Sequence, residues 1–215
     1  MRKLGQKNIT GTIHLLSGTR VGGSDDLLQI GATDLTVIKH PETLRPYLPG
    51  SSLKGKMRSE LEKKHGKFSG RDQNEPCGCA KDDCFVCRIF GPHKVSKHNL
   101  GPSRIIVRDA QLLSGGDIEI KTENIIDRRT GTAQHPRKVE RVASGSTFSL
   151  KIGIQYWDLD ENQSYNGKTG ADALVEFVKD GLRLLQETGI GAGTSKGYGE
   201  IEFSDLKLDN GNFEL

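Results

Sequence analysis

The sequence predicts an α+β fold of the ferredoxin-like (RRM-like) kind. Three observations carry this: an alternating apolar run near the N-terminus, two segments with apolar residues at helical spacing, and three further β-type runs that complete the order β-α-β-β-α-β. The first strand is marked by Ile9, Ile13 and Leu15 alternating with Thr10, Thr12 and His14, the period of two of a half-buried strand, and Gly18 with Gly22-Gly23 ends it. Pro49-Gly50-Ser51-Ser52 then opens a helix that carries Leu53, Met57 and Leu61 at four-residue spacing, and either serine is a candidate cap. Ile105-Ile106-Val107 marks the second strand. Phe148, Leu150, Ile152, Ile154 and Tyr156 mark the third. Leu174, Phe177-Val178, Leu182 and Leu185 place a second helix over 170–188, and Ile201 with Phe203 closes the sheet after a glycine-rich loop.

Two long insertions interrupt this frame, at about 66–101 and 112–146. Stretches of that length without regular structure of their own are uncommon in compact domains and are usually functional. At 215 residues the whole reads as a single domain, 1–215, with those insertions. Hydrophobic residues make up 33% and charged residues 27%. That composition is polar for a globular chain, but the apolar residues cluster into runs able to build a core. No apolar stretch approaches the roughly 20 residues of a membrane span, and Met1-Arg-Lys-Leu-Gly leads into no signal-like region, so no membrane partner and a cytoplasmic location are expected.

The net charge of +3 is too small to argue for general nucleic-acid binding, so its distribution matters more. Residues 51–67 hold Lys54, Lys56, Arg58, Lys63, Lys64 and Lys67 against Glu60 and Glu62, a local excess of +4. Residues 121–141 hold Lys121, Arg128, Arg129, Arg137, Lys138 and Arg141 against Glu123, Asp127 and Glu140. The rest of the chain is acidic on balance. A charge run is usually a solvated face; beside a glycine-rich loop on an RRM-like frame, RNA binding explains these two better. The stacking aromatics of ordinary RRM sheets are missing, which argues against the sheet face as the reader.

All four cysteines fall in Cys77-Gly-Cys79-Ala-Lys-Asp-Asp-Cys84-Phe-Val-Cys87. Four thiolates this close can converge on a tetrahedral Zn2+, which would fold an insertion too small to hold itself by burial. His93 or His98 could replace one of them, and disulfides or unliganded thiols are the bland alternatives. Four protein ligands leave no open position for water, so the expected role is structural. Residues 189–199, Gly-Ile-Gly-Ala-Gly-Thr-Ser-Lys-Gly-Tyr-Gly, can present amides to phosphate, although a plain turn has an equal claim on such a loop. Its glycine spacing matches neither a P-loop nor a dinucleotide fingerprint.

The ordered motifs Val21-Gly-Gly-Ser-Asp25, Ile30-Gly-Ala-Thr-Asp34, Leu48-Pro-Gly-Ser-Ser-Leu-Lys-Gly-Lys-Met-Arg58, Arg88-Ile-Phe-Gly91, Asn124-Ile-Ile-Asp-Arg128 and Gly191 to Gly199 resemble the Csm-type backbone subunits of type III-A CRISPR interference complexes, which are RAMP proteins. The resemblance extends from about residue 9 to about residue 207. It implies a RAMP palm with a zinc-binding, lid-like insertion at 66–101 and a thumb-like hairpin within 112–146. It implies a filament of several copies on one crRNA, cutting complementary target RNA at regular intervals alongside other Csm-type subunits, including the large polymerase-like one. By the same resemblance Ser52, Lys54 and Arg58 contact guide phosphates, Lys196 supports the same strand and Arg20 lies near the RNA; Arg128 and Arg137 of the basic run 121–141 are further candidate RNA contacts. The cutting residue falls on Asp34, with Mg2+ or another divalent cation as cofactor. Asp25 and Asp26 are weaker candidates, and His14 and His135 are possible acid–base groups. A non-enzymatic crRNA-binding scaffold and a guide-processing RAMP endoribonuclease are the alternatives, and the Gly-Ala-Thr-Asp and Pro-Gly-Ser-Ser-Leu-Lys-Gly motifs favour the interference subunit over both.

Overall fold

A computed structural model describes residues 1–22, 35–69 and 74–215. In chain order the elements are β1 (Lys3–Leu15), α1 (Gly50–His65), the short pair β2 (Phe68–Ser69) and β3 (Glu75–Pro76), α2 (Phe85–Phe90), β4 (Ile105–Val107) and β5 (Leu112–Ser114). There follow the long hairpin β6 (Ile118–Ile126) and β7 (Ala133–Val142), then β8 (Thr147–Trp157), the short pair β9 (Ser164–Tyr165) and β10 (Lys168–Thr169), α3 (Gly170–Thr188), β11 (Ile201–Leu208) and β12 (Gly211–Asn212).

The main sheet runs β12-β11-β1-β8-β4, with β5 also paired to β8. Stripped of the short strands, its order is fourth, first, third, second core strand, as a ferredoxin-like fold requires. β1 is central and antiparallel to both neighbours, with Ile13 opposite Phe203 on one side and Phe148 on the other. These inward residues are buried, and they face the apolar sides of the helices: Leu53, Met57 and Leu61 of α1, and Leu174, Phe177, Val178, Leu182 and Leu185 of α3. The two helices pack closely at Gly181, where a Cβ would lie 2.5 Å from Met57 Cγ. The apolar periodicities therefore mark the true core.

The start of α1 departs from expectation. Neither Ser51 nor Ser52 caps it; Pro49 precedes the helix, and no side chain at the cap position bonds its amides. Instead Asp109, from the segment after β4, accepts the Gly50 amide at 2.7 Å. A carboxylate at a helix N-terminus satisfies an orphan donor and complements the helix dipole. Both serines are left exposed in the first turn.

The basic appearance of α1 is also reduced by local pairing. Lys56 and Lys63 both bond Glu60, Arg58 bonds Glu62, and Lys64 bonds Asp180 of α3. Lys54 and Lys67 carry no ion pair with the described residues. Behind the helices, Arg88 and Arg104 are fully buried around one carboxylate, Asp160, with Arg88 Nη1 at 2.8 Å and Arg104 Nε and Nη2 at 2.9 and 2.8 Å. This joins α2 and the strand β4 segment to the turn after β8.

Candidate nucleic-acid interface and metal centre

The glycine-rich loop between α3 and β11 is shaped by positive φ at Gly189, Gly191, Gly193, Gly197 and Gly199. At Gly199 a Cβ would collide with the Ile190 carbonyl oxygen, and at Gly191 with that of Arg20, so the tight path requires glycine at both. The loop is tied to the segment after β1: Ala192 N–H donates to Arg20 O at 2.9 Å and Gly199 N–H to Gly18 O at 3.2 Å. One short helical turn, Thr194–Lys196, presents Lys196 outward.

The hairpin β6–β7 rises beside this loop. It is fixed at its base by Thr19, whose amide donates to Val142 O at 2.9 Å, and by Glu140, whose amide donates to Leu35 O at 2.9 Å. Its register shifts between Glu123 and Ile125, and its tip exposes Ile125 and Ile126, 65% and 48% accessible. Between hairpin and loop lies an open cleft of about 80 Å3 lined by Arg20, Leu35, Arg137 and Lys196, with Glu123 and Tyr198 at its floor.

Glu123 is the hub of that floor. Tyr198 hydroxyl donates to Oε1 at 2.6 Å, Arg137 donates to Oε2 from Nη2 at 2.7 Å and Nε at 3.2 Å, and Lys196 donates to Oε2 at 3.2 Å. The Tyr198 hydroxyl, then Arg137 and Lys196, hold the Glu123 carboxyl down at about 2. Burial and the facing carboxylate push Tyr198 up to about 12. Two cations lie over the Tyr198 ring, with Lys121 Nζ 4.3 Å and Arg141 Cζ 4.6 Å from its centroid. Arg20 Nε is buried with no hydrogen-bond partner among the described residues.

In the other insertion the four cysteine sulfurs all lie within 4.8 Å of one another. The approaches Cys77–Cys84, Cys79–Cys87 and Cys77–Cys87 are 3.9, 3.8 and 3.6 Å. These are too long for disulfides. A tetrahedron with zinc–sulfur bonds of ~2.3 Å has edges of about 3.8 Å, so the set has the size a zinc ion needs. Hydrogen bonding from Cys87 draws the Cys84 thiol down to about 5, whereas burial pushes Cys77 up to about 11. His93 and His98 do not join the group. The cluster is held against α1: Glu62 accepts the Cys77 amide at 2.8 Å, and Arg58 bridges Glu62 at 2.8 Å and Cys77 O at 2.9 Å.

Residues 12–202 match the RAMP superfamily. The protein of Methanocaldococcus jannaschii named CRISPR system Cms endoribonuclease Csm3 is 38% identical over 214 residues, covering 95% of this chain and 81% of that one. The Streptococcus thermophilus protein of the same name is 36% identical, covering 94% and 90%. The chain belongs to the Csm3 family of RAMP proteins. Among solved structures, a Csm3-Csm4 subcomplex of the type III-A CRISPR-Cas interference complex matches with TM-score 0.61 and 29% identity over 97% of this chain and 80% of that one. A chain of the type III-B Cmr-beta complex bound to cognate target RNA matches with TM-score 0.62 over 96% of this chain and 61% of that one, at 17% identity, and so shares the fold.

On this RAMP frame the residues expected from sequence fall into separate groups. Arg20, Arg137 and Lys196 come together in the cleft. Arg128 sits exposed in the hairpin turn. Ser52 and Lys54 lie on α1 and do not line the cleft, and Lys54 is half-buried, with burial and then Arg58 lowering its pKa. Arg58 is turned toward the cysteine insertion. His14 bonds Ser204 on the sheet at 2.7 Å, and His135 is exposed on β7 with φ of 52°. Asp25, Asp26 and Asp34 lie outside the described residues. Glu123 and Tyr198 were missed by sequence reasoning as a site; the available signal was an acid set among the cations of 121–141 and a tyrosine inside the glycine loop. Among the described residues, no helix is long and apolar enough to cross a membrane.

Proposed function

We propose that this RAMP protein is the repeated backbone subunit of a type III-A CRISPR effector complex, binding crRNA as a filament and cutting complementary target RNA endonucleolytically at regular intervals. The observation that carries the reading is the convergence of Arg20, Arg137 and Lys196 on one open cleft between the glycine loop and the hairpin. Cations arranged around backbone amides hold phosphate without reading bases, which suits a subunit whose sequence specificity comes from guide pairing. Ser52, Lys54 and Arg128 extend the same strand path in this reading, and the exposed isoleucines at the hairpin tip give a thumb an apolar edge to set between bases. Further copies of the chain, other Csm-type subunits including the large polymerase-like one, crRNA and target RNA are the partners.

Asp34 is the residue we assign to cutting. The assignment rests on the Gly31-Ala32-Thr33-Asp34 motif of the family resemblance; Leu35, the next residue in the chain, lines the cleft and is bonded to the hairpin strand β7. Target RNA supplies its own nucleophile: where the thumb splays the strand, the 2′-oxygen bonds to the adjacent phosphorus as the bond to the 5′-oxygen breaks. The 2′-hydroxyl proton is lost and the leaving 5′-oxygen gains one, leaving a 2′,3′-cyclic phosphate and a 5′-hydroxyl. An ionised aspartate orients the attacking group, and its hard oxygen donors suit Mg2+, which would stabilise charge at the reacting phosphate. The four cysteines hold a structural Zn2+ that fixes the first insertion.

The test is cleavage of a guide-complementary RNA by complexes reconstituted with the wild-type chain or Asp34→Ala, in Mg2+ and in EDTA. Regularly spaced, Mg2+-dependent cuts that disappear in a variant still able to bind target are the expected outcome. Cutting unchanged by the substitution would make the subunit a scaffold.

A further inference from the structure

Glu123 is placed where the proposed RNA site has least use for a carboxylate. Its two oxygens receive a guanidinium, an ammonium and a phenol, donated by side chains of β7 and the glycine loop. That donor set is the one a phosphodiester takes: a planar fork, a point charge and a neutral hydroxyl. The carboxylate side chain is 13% accessible, yet Arg137 and Lys196 remain 49% and 55% accessible, so both cations can turn outward to an incoming ligand without unfolding their elements. Arg20 lines the same cleft and has no ion pair among the described residues, a third cation that Glu123 does not hold.

We infer that Glu123 is an internal surrogate for an RNA phosphate: it holds Arg137 and Lys196 in place while the cleft is empty and gives them up to a phosphodiester of the guide strand on loading. The inference rests on the reading of this cleft as an RNA site. Its physical consequence is selectivity. A ligand must replace an anion already held by charge-assisted bonds, so a single small anion gains little, whereas a strand engaging several sites at once overcomes the competition. The cations are meanwhile kept in a binding geometry, which lowers the ordering cost of loading. Because Lys196 belongs to the glycine loop and Glu123 to the hairpin, giving up that cation removes one tie between hairpin and loop, while the Tyr198 hydroxyl bond is kept.

The experiment is a titration of the full chain with fluorescein-labelled single-stranded RNA across a KCl series, comparing wild type with Glu123→Gln and with Asp117→Asn. Asp117 is an exposed carboxylate just before the same strand and has no ion pair among the described residues. Glu123→Gln is expected to bind about tenfold more tightly, and the gain persists at 0.5 M KCl, on the order of the highest salt worth using, because contact competition acts inside the Debye length. The gain of Asp117→Asn is small and vanishes there. Tyr198→Phe, which removes one donor to Glu123 without changing charge, shifts affinity the same way by less. In the Arg137→Ala/Lys196→Ala background, Glu123→Gln gives no gain beyond that of Asp117→Asn. Unchanged or weaker binding by Glu123→Gln, or a gain that fades with salt as in Asp117→Asn, overturns the inference while the RNA site stands. No RNA binding by wild type or any variant overturns the site itself, and the inference with it.

Discussion

Replacing Arg58 with alanine separates two roles for the same cation. Family resemblance puts Arg58 on guide phosphates, but its guanidinium bonds Glu62 Oε1 at 2.8 Å and Cys77 O at 2.9 Å. Its side chain is 18% accessible and that of Glu62 only 5%. Arg58→Ala therefore leaves a nearly buried carboxylate with one remaining partner, the backbone amide of Cys77. Breaking a buried pair costs about 3–5 kcal/mol; partial exposure of the arginine reduces this to ~2–3 kcal/mol. For a chain of this size each kcal/mol moves the melting temperature by about 2–4 °C, so a drop of roughly 5–10 °C is expected. A docking residue leaves the dependence of RNA affinity on salt unchanged. A phosphate contact would reduce the slope of log K against log salt by ~0.7 per contact on a single strand. Thermal melts and anisotropy titrations over a KCl series read both quantities. An unchanged melting temperature together with a slope reduced by that amount would refute the docking role.

Asp160→Asn leaves two buried arginines around a neutral group and is expected to cost about 3–5 kcal/mol in urea unfolding. Burial raises the Asp160 carboxyl, but Arg104, the Trp157 amide and Arg88 outweigh it and the net shift is downward. Its stabilisation is thus present above its unfolded pKa of about 3.9 and lost as pH falls through the lower folded value; the Asn variant shows a flatter stability profile in that acid range. Metal analysis of the purified chain is expected to find one zinc per chain, and a strong chelator or Cys84→Ser to remove it with a lower melting temperature; a chain free of metal and indifferent to chelation would argue against the site. Gly199→Ala forces a Cβ into the Ile190 carbonyl at φ of 71°. RNA binding is expected to fall about tenfold or more through the distorted loop while far-UV circular dichroism stays native-like, since the strain is local.

The fold was legible because its core signals are local. Alternation in β1 and β8 and the four-residue spacing in α1 state which side of each element is apolar, and burial of Ile13, Phe148, Met57 and Phe177 follows directly. The α1 cap was not legible. Two serines stood at the right place for a local cap, but the carboxylate that does the capping comes from Asp109, 59 residues away. Local propensity gives way whenever a tertiary contact offers a better partner. The same holds for Arg88, Arg104 and Asp160, since charge counts cannot say which charges are buried.

The candidate site divides along the same line. Four cysteines within eleven residues announce their convergence, because short loops limit how far apart the sulfurs can go. The cleft is assembled from Arg20 and Leu35 of the connection between β1 and α1, the hairpin and the glycine loop, and Glu123 meets Tyr198 across a separation of 75 residues. In a charge tally Glu123 merely lowers the excess of 121–141, whereas in space it decides the state of the cations around it. Lys56, Arg58, Lys63 and Lys64 count as a basic helix in the same tally, and in space acids on α1 and α3 pair with each of them. Net charge along a segment therefore does not show which cations already have internal partners, on α1 or at the cleft. Counting cations is informative only after their internal partners are known: on α1 those partners lie on the helix itself and on α3, and at the cleft Arg137 and Lys196 share one carboxylate.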